Sequence, residues 1–384
     1  MTQGPFPQES ALADDSMKKN KAAERTNLQK SFKIPLQLLN DAGEPCNQWL
    51  LQVSTEARRV WLRDFLNNVI GEENIAIEQL GNDFCLLRGN QALTSGQLLS
   101  TVFPRWLSPL EHQWPTKPAS DGFVEKAAQG LSRKFGAHWE SLEILSTTPE
   151  LKRIAVGLKG RLLQLREIED DSTPRSGVLT ALIDQKGLYA GMSRSRLNMG
   201  TALPGGLGFL SKSEKPSSEL PSRAGGKIRE VLALLEELKV NKNHLHNWLE
   251  LGAAPGGMTQ CLLDWGANVT AVDLADMSPS VLKNKGLRHL RINALQLTEA
   301  SEFDAILSDM NGPYENAARI VANLGFTLRQ NGFIVFTLKL PKLADAKKAL
   351  DEVTQYFLAQ SLEVLAAKHL FHNRQEITIF ARRI

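Results

Sequence analysis

Two lysines and two acids, Lys227, Asp309, Lys339 and Glu376, lie far apart in the second half of this 384-residue chain. They fall at places that a nucleotide-binding domain would bring together around a reactive hydroxyl. An alcohol is a poor nucleophile until its proton is being removed, so amines and carboxylates are the side chains such a reaction needs. Taken singly, three of them have ordinary readings: Lys227 could open a surface helix, Asp309 could cap one, and Glu376 could sit on an exposed strand. Lys339 is different. It ends the apolar run 333–338 at a sheet edge, where an isolated charge is costly unless it has partners or solvent.

The elements that would position these residues begin at Glu250-Leu251-Gly252-Ala253-Ala254-Pro255-Gly256-Gly257, where an apolar strand breaks into small residues and resumes as a helix. Gly252, Gly256 and Gly257 do not spell the dinucleotide fingerprint G-x-G-x-x-G. The context sharpens the turn: Glu250 stands just before it, Ala254 and Pro255 lead into a helix opened by Gly256 and Gly257, and Asp273 closes the next strand. Glycines admit a ligand close to the backbone, and the Asp273 carboxylate can accept hydrogen bonds from a ribose diol. A pyrophosphate would use the exposed helix N-terminus, whereas S-adenosylmethionine carries no phosphate and needs a close, shape-matched loop.

From residue 227 onward, strands and helices alternate regularly. Helices are expected over 227–238, 257–265, 320–328 and 344–358, and strands over 248–252, 268–273, 332–338 and 376–381, with short apolar segments at 290–292 and 305–307. That alternation predicts a doubly wound α/β sheet with its ligands at the carboxyl ends of the strands. Four regions follow: a basic tail over 1–47, an α/β accessory domain over 48–192, a Gly-, Pro- and Ser-rich connector over 193–222, and the nucleotide-binding domain over 223–384. The accessory region reads as strands at 49–53, 75–80, 84–87, 142–145, 154–158, 162–165 and 178–183, with helices at 55–70 and 123–135.

Composition bounds the rest. A net charge of +3 permits a polyanionic partner without identifying one. Three cysteines without paired spacing support neither a disulfide framework nor a zinc site, and a reducing cytoplasm fits them. No stretch approaches the roughly 18 apolar residues that would span a bilayer. Cations of the tail (Lys18, Lys19, Lys21, Arg25, Lys30, Lys33) read more readily as a solvated tail than as an arm on RNA phosphates, those of the connector (Arg194, Arg196, Lys212) fit RNA contact or plain surface charge equally, and His369 and His372 read as ordinary edge residues before RNA contacts. Tyr314 fits stacking on a base and ordinary packing equally well.

The motifs Leu251-Gly252-x-x-Pro255-Gly256-Gly257, Ser308-Asp309-Met310 and Leu338-Lys339-Leu340-Pro341, with Glu376 on the last strand, resemble the FtsJ-type (RrmJ-like) RNA ribose 2'-O-methyltransferases. Ser222-Arg223-Ala224-Gly225-Gly226-Lys227 is similar to that family's opening Ser-Arg-x-x-x-Lys segment. The resemblance extends to the RlmM branch, which methylates a cytidine ribose in large-subunit (23S-type) ribosomal RNA. It rests on Tyr189-Ala190-Gly191-Met192-Ser193, Leu370-Phe371-His372-Asn373-Arg374-Gln375-Glu376 and Arg382-Arg383-Ile384. The likeness is strong over 185–384 and faint before it.

The resemblance implies a Rossmann-like class I methyltransferase domain and a THUMP-like, RNA-binding accessory domain. It also implies S-adenosylmethionine as cofactor and a Lys227, Asp309, Lys339, Glu376 tetrad, with no metal required. The expected cofactor residues are Glu250, Gly252, Ala254, Pro255, Gly256, Gly257, Asp273, Asn293 and Asp309. Within the tetrad, Lys339 is the candidate base and Asp309 steers its amine and holds the hydroxyl. Lys227 favours the developing alkoxide, and Glu376 fixes the lysines. RNA, as ribosomal RNA or a ribosome-assembly intermediate, is the implied partner; the cysteine pattern fits the cytoplasm, and a monomer is favoured with the oligomeric state left open.

Two features depart from the branch. Asn293 stands where an acidic residue usually lies near the adenine, and Asp309-Met310-Asn311-Gly312-Pro313 places its proline later than Asp-Met-x-Pro. They keep open an alternative, a non-catalytic RNA-binding assembly protein that retains the methyltransferase fold. The intact tetrad favours the enzyme.

Overall fold

The computed structural model describes residues 45–70, 75–81, 83–118, 122–168, 176–193, 220–237, 240–298 and 303–384. The basic residues of the tail and of the connector, the candidate RNA contacts, lie outside the described residues.

The first half builds two small sheets. One contains β1 (Cys46–Gln52), β2 (Ile75–Leu80), β3 (Phe84–Leu93) and β4 (Trp106–Pro109), all antiparallel in the order β2-β3-β1-β4. Helix α1 (Thr55–Val60), prolonged by a π-turn at Trp61–Leu66, follows β1, and α2 (Ser95–Leu99) follows β3. This is a split β-α-β, ferredoxin-like arrangement. Alternation along its strands buries both faces: Trp49, Leu51, Cys85 and Leu87 pack toward α1, while Leu50, Leu86 and Trp106 face the second sheet.

That second sheet has the order β5-β8-β7-β6, from β5 (His112–Trp114), β6 (Ser141–Ser146), β7 (Val178–Asp184) and β8 (Gly187–Ser193). Helices α3 (Phe123–Phe135) and α4 (Lys152–Ile168) cover it. The strands expected at 154–158 and 162–165 are instead parts of α4. Buried Ala155, Leu158 and Leu162 recur at helical spacing, and Gly157 and Gly160 interrupt the apolar pattern without breaking the helix.

The second half forms a seven-stranded sheet of order β11-β10-β9-β12-β13-β15-β14. Its strands are β9 (Asn247–Leu251), β10 (Asn268–Val272), β11 (Leu287–Leu290), β12 (Phe303–Ser308), β13 (Leu328–Lys339), β14 (Leu362–Lys368) and β15 (Glu376–Arg383). Only β15 runs against the others. Helices α5 (Gly225–Glu237), α6 (Gly257–Asp264), α7 (Tyr314–Asn323) and α8 (Ala346–Leu358) complete a doubly wound, Rossmann-like α/β fold, as the alternation predicts. One apolar cluster gathers Ile228, Leu235 and Leu262 under the sheet; another gathers Val321, Val353 and Phe357 on the opposite face. The second cluster runs on without a break into Trp61 and Phe65 of the π-turn after α1 and Phe103 before β4, so the two units share a core.

The helix expected over 320–328 starts earlier, at Tyr314 just after Pro313, and ends in a 3-10 turn at Leu324–Thr327. Strand β14 was not expected, because its alanines carry little strand propensity. No helix among the described residues is long and apolar enough to cross a membrane.

Candidate active site

Strand order reverses beside β9, with β10 on one side and β12 on the other, and a crevice opens there at the strands' carboxyl ends. Its volume is about 330 Å3, and it is lined by Gly252, Ala254, Asp273, Leu274, Asn293, Asp309 and Asn311 among others. Volumes of this order hold small ligands.

The backbone is built around that space. Gly252 has a φ of 75°, and a Cβ there would lie 2.9 Å from the Met310 Cα. A side chain at this position would therefore be strained and would push the two loops apart. Those loops are pinned to the sheet: the Gly252 N–H donates to the Val272 carbonyl (3.0 Å), and the Asp309 N–H donates to the Leu251 carbonyl (3.2 Å). Asp273 accepts from the N–H groups of Ala254 and Ala275, at 2.9 Å each, which fixes its carboxylate at the rim with lone pairs to spare. Asn293 caps a 3-10 turn, accepting from Leu295 N at 3.0 Å.

Of the nine residues expected to hold a cofactor, Gly252, Ala254, Asp273, Asn293 and Asp309 line the crevice. Pro255, Gly256 and Gly257 form the turn into α6 behind it. Glu250 is 2% exposed and accepts the Thr259 hydroxyl at 2.7 Å. Burial pushes its carboxyl up to about 8; the Thr259 hydrogen bond opposes the rise, and Asp309 and Asp273 add to it. Glu250 thus lies beneath the crevice rather than on its wall.

At the crevice's Asp309 end the four scattered residues meet. The Lys227 ammonium lies 2.6 Å from Glu376 and 3.2 Å from Asp309, and Lys339 lies 3.3 Å from the same Asp309 oxygen. The topology explains the gathering: Asp309 follows β12, Lys339 ends β13, and Glu376 starts antiparallel β15 directly opposite Lys339 in the register. Lys227 sits in the first turn of α5, where the helix dipole disfavours a cation and the two carboxylates offset that penalty. All four side chains are 12–23% exposed, sheltered yet open to a substrate.

Asn311 went unassigned in the sequence. Lys339 donates to its side-chain oxygen and to the Asp309 carbonyl, both at 2.7 Å, so three acceptors surround one ammonium. The one signal in the sequence was its place in the atypical segment between Asp309 and Pro313.

For Tyr314 and His369 the structure selects packing over contact with RNA. Tyr314 is 8% exposed and donates to Glu352 at 2.7 Å, which makes it part of the packing between α7 and α8. His369 is 2% exposed and packs on Phe103, and burial pushes its imidazole down to about 3. His372 is partly buried: a Cβ on Gly226 would lie 2.8 Å from its ring. Burial, with help from Arg105, Lys227 and Arg229, lowers its affinity for a proton.

Residues 220–370 match the FtsJ-like methyltransferase family. Over 173 residues the chain is 32% identical to the Ribosomal RNA large subunit methyltransferase M of Xylella fastidiosa (strain 9a5c), covering 42% of this chain and 47% of that protein. The protein of the same name from Edwardsiella ictaluri is 30% identical over 64% of this chain and 65% of its own length. That from Pseudomonas putida (strain GB-1) is 28% identical over 74% and 80%. The chain therefore spans about half the length of the first of these relatives. Over residues 220–370 it is similar to the FtsJ-like methyltransferases, and more broadly to ribosomal RNA large subunit methyltransferases M.

Proposed function

We propose that this protein transfers a methyl group from S-adenosylmethionine to a ribose 2'-hydroxyl of RNA, with large-subunit ribosomal RNA as substrate. The observation that carries the reading is the cluster of Lys227, Asp309, Lys339 and Glu376 at one end of a crevice fitted for a small ligand. Asp273 can receive a ribose diol, Asn293 can bond an adenine through its amide, and the Gly252 turn leaves room for close approach. When bound, S-adenosylmethionine supplies an electrophilic methyl on a sulfonium.

The chain's own groups then act on the hydroxyl. Asp309 holds it, Lys339 as the neutral amine takes its proton while the oxygen attacks the methyl carbon, and the acceptors around Lys339 stabilise the ammonium that forms. Lys227 stands by the developing alkoxide, and Glu376 holds Lys227 in place. The departures at Asn293 and after Asp309 do not empty the site, because Asn293 still lines the crevice and Asn311, within the atypical segment, bonds Lys339. The non-catalytic alternative is accordingly not favoured.

Residues 48–192 would carry the RNA-binding role, and 223–384 the transfer. The test is transfer of labelled methyl to total ribosomal RNA from cells lacking the protein, followed by alkaline hydrolysis. An alkali-stable dinucleotide bearing the label supports the reading; label on a base, or none, refutes it.

A further inference from the structure

Between β14 and β15 runs a turn, residues 369–375, that leads straight into Glu376 and is gripped from both halves of the molecule. From the accessory side, the Val102 carbonyl accepts the His369 N–H at 3.0 Å, and the Leu99 carbonyl accepts the Lys368 ammonium at 2.5 Å. Arg105, 6% exposed, donates to the Asn373 carbonyl at 3.0 Å and lies 5.6 Å above the Phe371 ring. From the catalytic side, both carboxylate oxygens of Glu230 accept the Phe371 N–H, at 3.0 and 3.1 Å. Glu230 lies one turn beyond Lys227 on α5 and is 8% exposed. Its carboxyl is pushed up to about 7 by burial, against the Phe371 hydrogen bond and the Arg105 charge.

A buried carboxylate of this kind is tolerable only with donors and a cation nearby. Its cation is supplied by a residue more than a hundred positions earlier, in the other half of the chain. With so little exposure, Arg105 has no surface to offer RNA directly. We propose that Arg105 and Glu230 are positioning residues: docking of the ferredoxin-like unit sets the 369–375 turn, and through it the place of Glu376 against Lys227. Methyl transfer then depends on the accessory unit for geometry as well as for RNA capture.

This inference rests on the proposed reaction but can be judged apart from it. In full-length protein, Arg105→Met and Arg105→Lys are compared with wild type by single-turnover methyl transfer to ribosomal RNA, S-adenosylhomocysteine affinity, RNA affinity, and hydrogen exchange of amides 370–376. For Arg105→Met the expectation is a loss of about tenfold in rate with both affinities within twofold, together with faster exchange in 370–376. Arg105→Lys, which keeps the charge, should recover most of the rate. An unchanged rate and unchanged exchange overturn the proposal, as does a rate loss matched in full by lost RNA affinity. If Arg105→Met does not fold, Glu230→Ala probes the same link from α5 and must show the same losses. If wild type transfers no methyl, the proposed reaction fails; exchange in 370–376 still decides the positioning link, since it needs no turnover.

Discussion

Replacing Glu250 by Gln should make the protein more stable at alkaline pH and leave it unchanged at pH 5. The Glu250 carboxyl is 2% exposed, and burial carries it from 4.5 to about 8. Between those values the folded protein keeps a proton that the unfolded chain has released. Stability therefore falls as pH rises through this window, and the contribution is gone above about pH 8. At 1.36 kcal/mol per pH unit, the interval from pH 5 to 8 corresponds to about 4 kcal/mol. Gln has the same shape and can still accept the Thr259 hydroxyl, but it never ionises. Glu230 and Lys368, which also titrate near neutrality, are common to both proteins and cancel in the difference. The assay is the melting temperature of wild type and E250Q from pH 5 to 9. The two should coincide at pH 5 and separate by about 10 °C at pH 9, since each kcal/mol is about 2–4 °C in a domain of this size. Parallel profiles would refute the idea that Glu250 is buried without a compensating cation.

Gly252→Ala places an L side chain at a φ of 75° with its Cβ against the Met310 backbone. The dihedral alone costs about 1–2 kcal/mol, so calorimetry should show a lower melting temperature and at least tenfold weaker binding of S-adenosylhomocysteine. Asn311→Ala removes one of three acceptors from Lys339 at an exposed site. A loss of about 1 kcal/mol predicts roughly fivefold slower single-turnover transfer with unchanged cofactor affinity.

Three of the four, Asp309, Lys339 and Glu376, were legible because each sits beside a readable strand end and the alternation of strands and helices fixes which ends share an edge, whereas Lys227, at the start of α5, was legible only through the Ser-Arg-x-x-x-Lys segment. Lys339 was the clearest of the four, a charge closing an uninterrupted apolar run. Other features depend on distance in space rather than along the chain. Arg105 and Asn373 are 268 residues apart, and nothing in the local pattern of either points to the other. Glu250 shows the same limit from the opposite side: its place before the glycine turn is legible, but whether a strand residue faces ligand or core depends on which face α6 covers, and here Thr259 claims it. Helix α4 was missed because glycines and short apolar pairs imitate strands, although its buried residues keep a helical period.

The central claim is that Lys339 removes the proton from an RNA ribose hydroxyl held beside a bound methyl donor. The direct test is single-turnover transfer from labelled S-adenosylmethionine to ribosomal RNA by wild type and Lys339→Ala, with ribose-methylation sequencing of the product and S-adenosylhomocysteine affinity in parallel. The account predicts a single 2'-O-methylated position made by wild type. It also predicts at least a hundredfold slower transfer by the variant, with cofactor affinity preserved. Transfer by Lys339→Ala at the wild-type rate would contradict it.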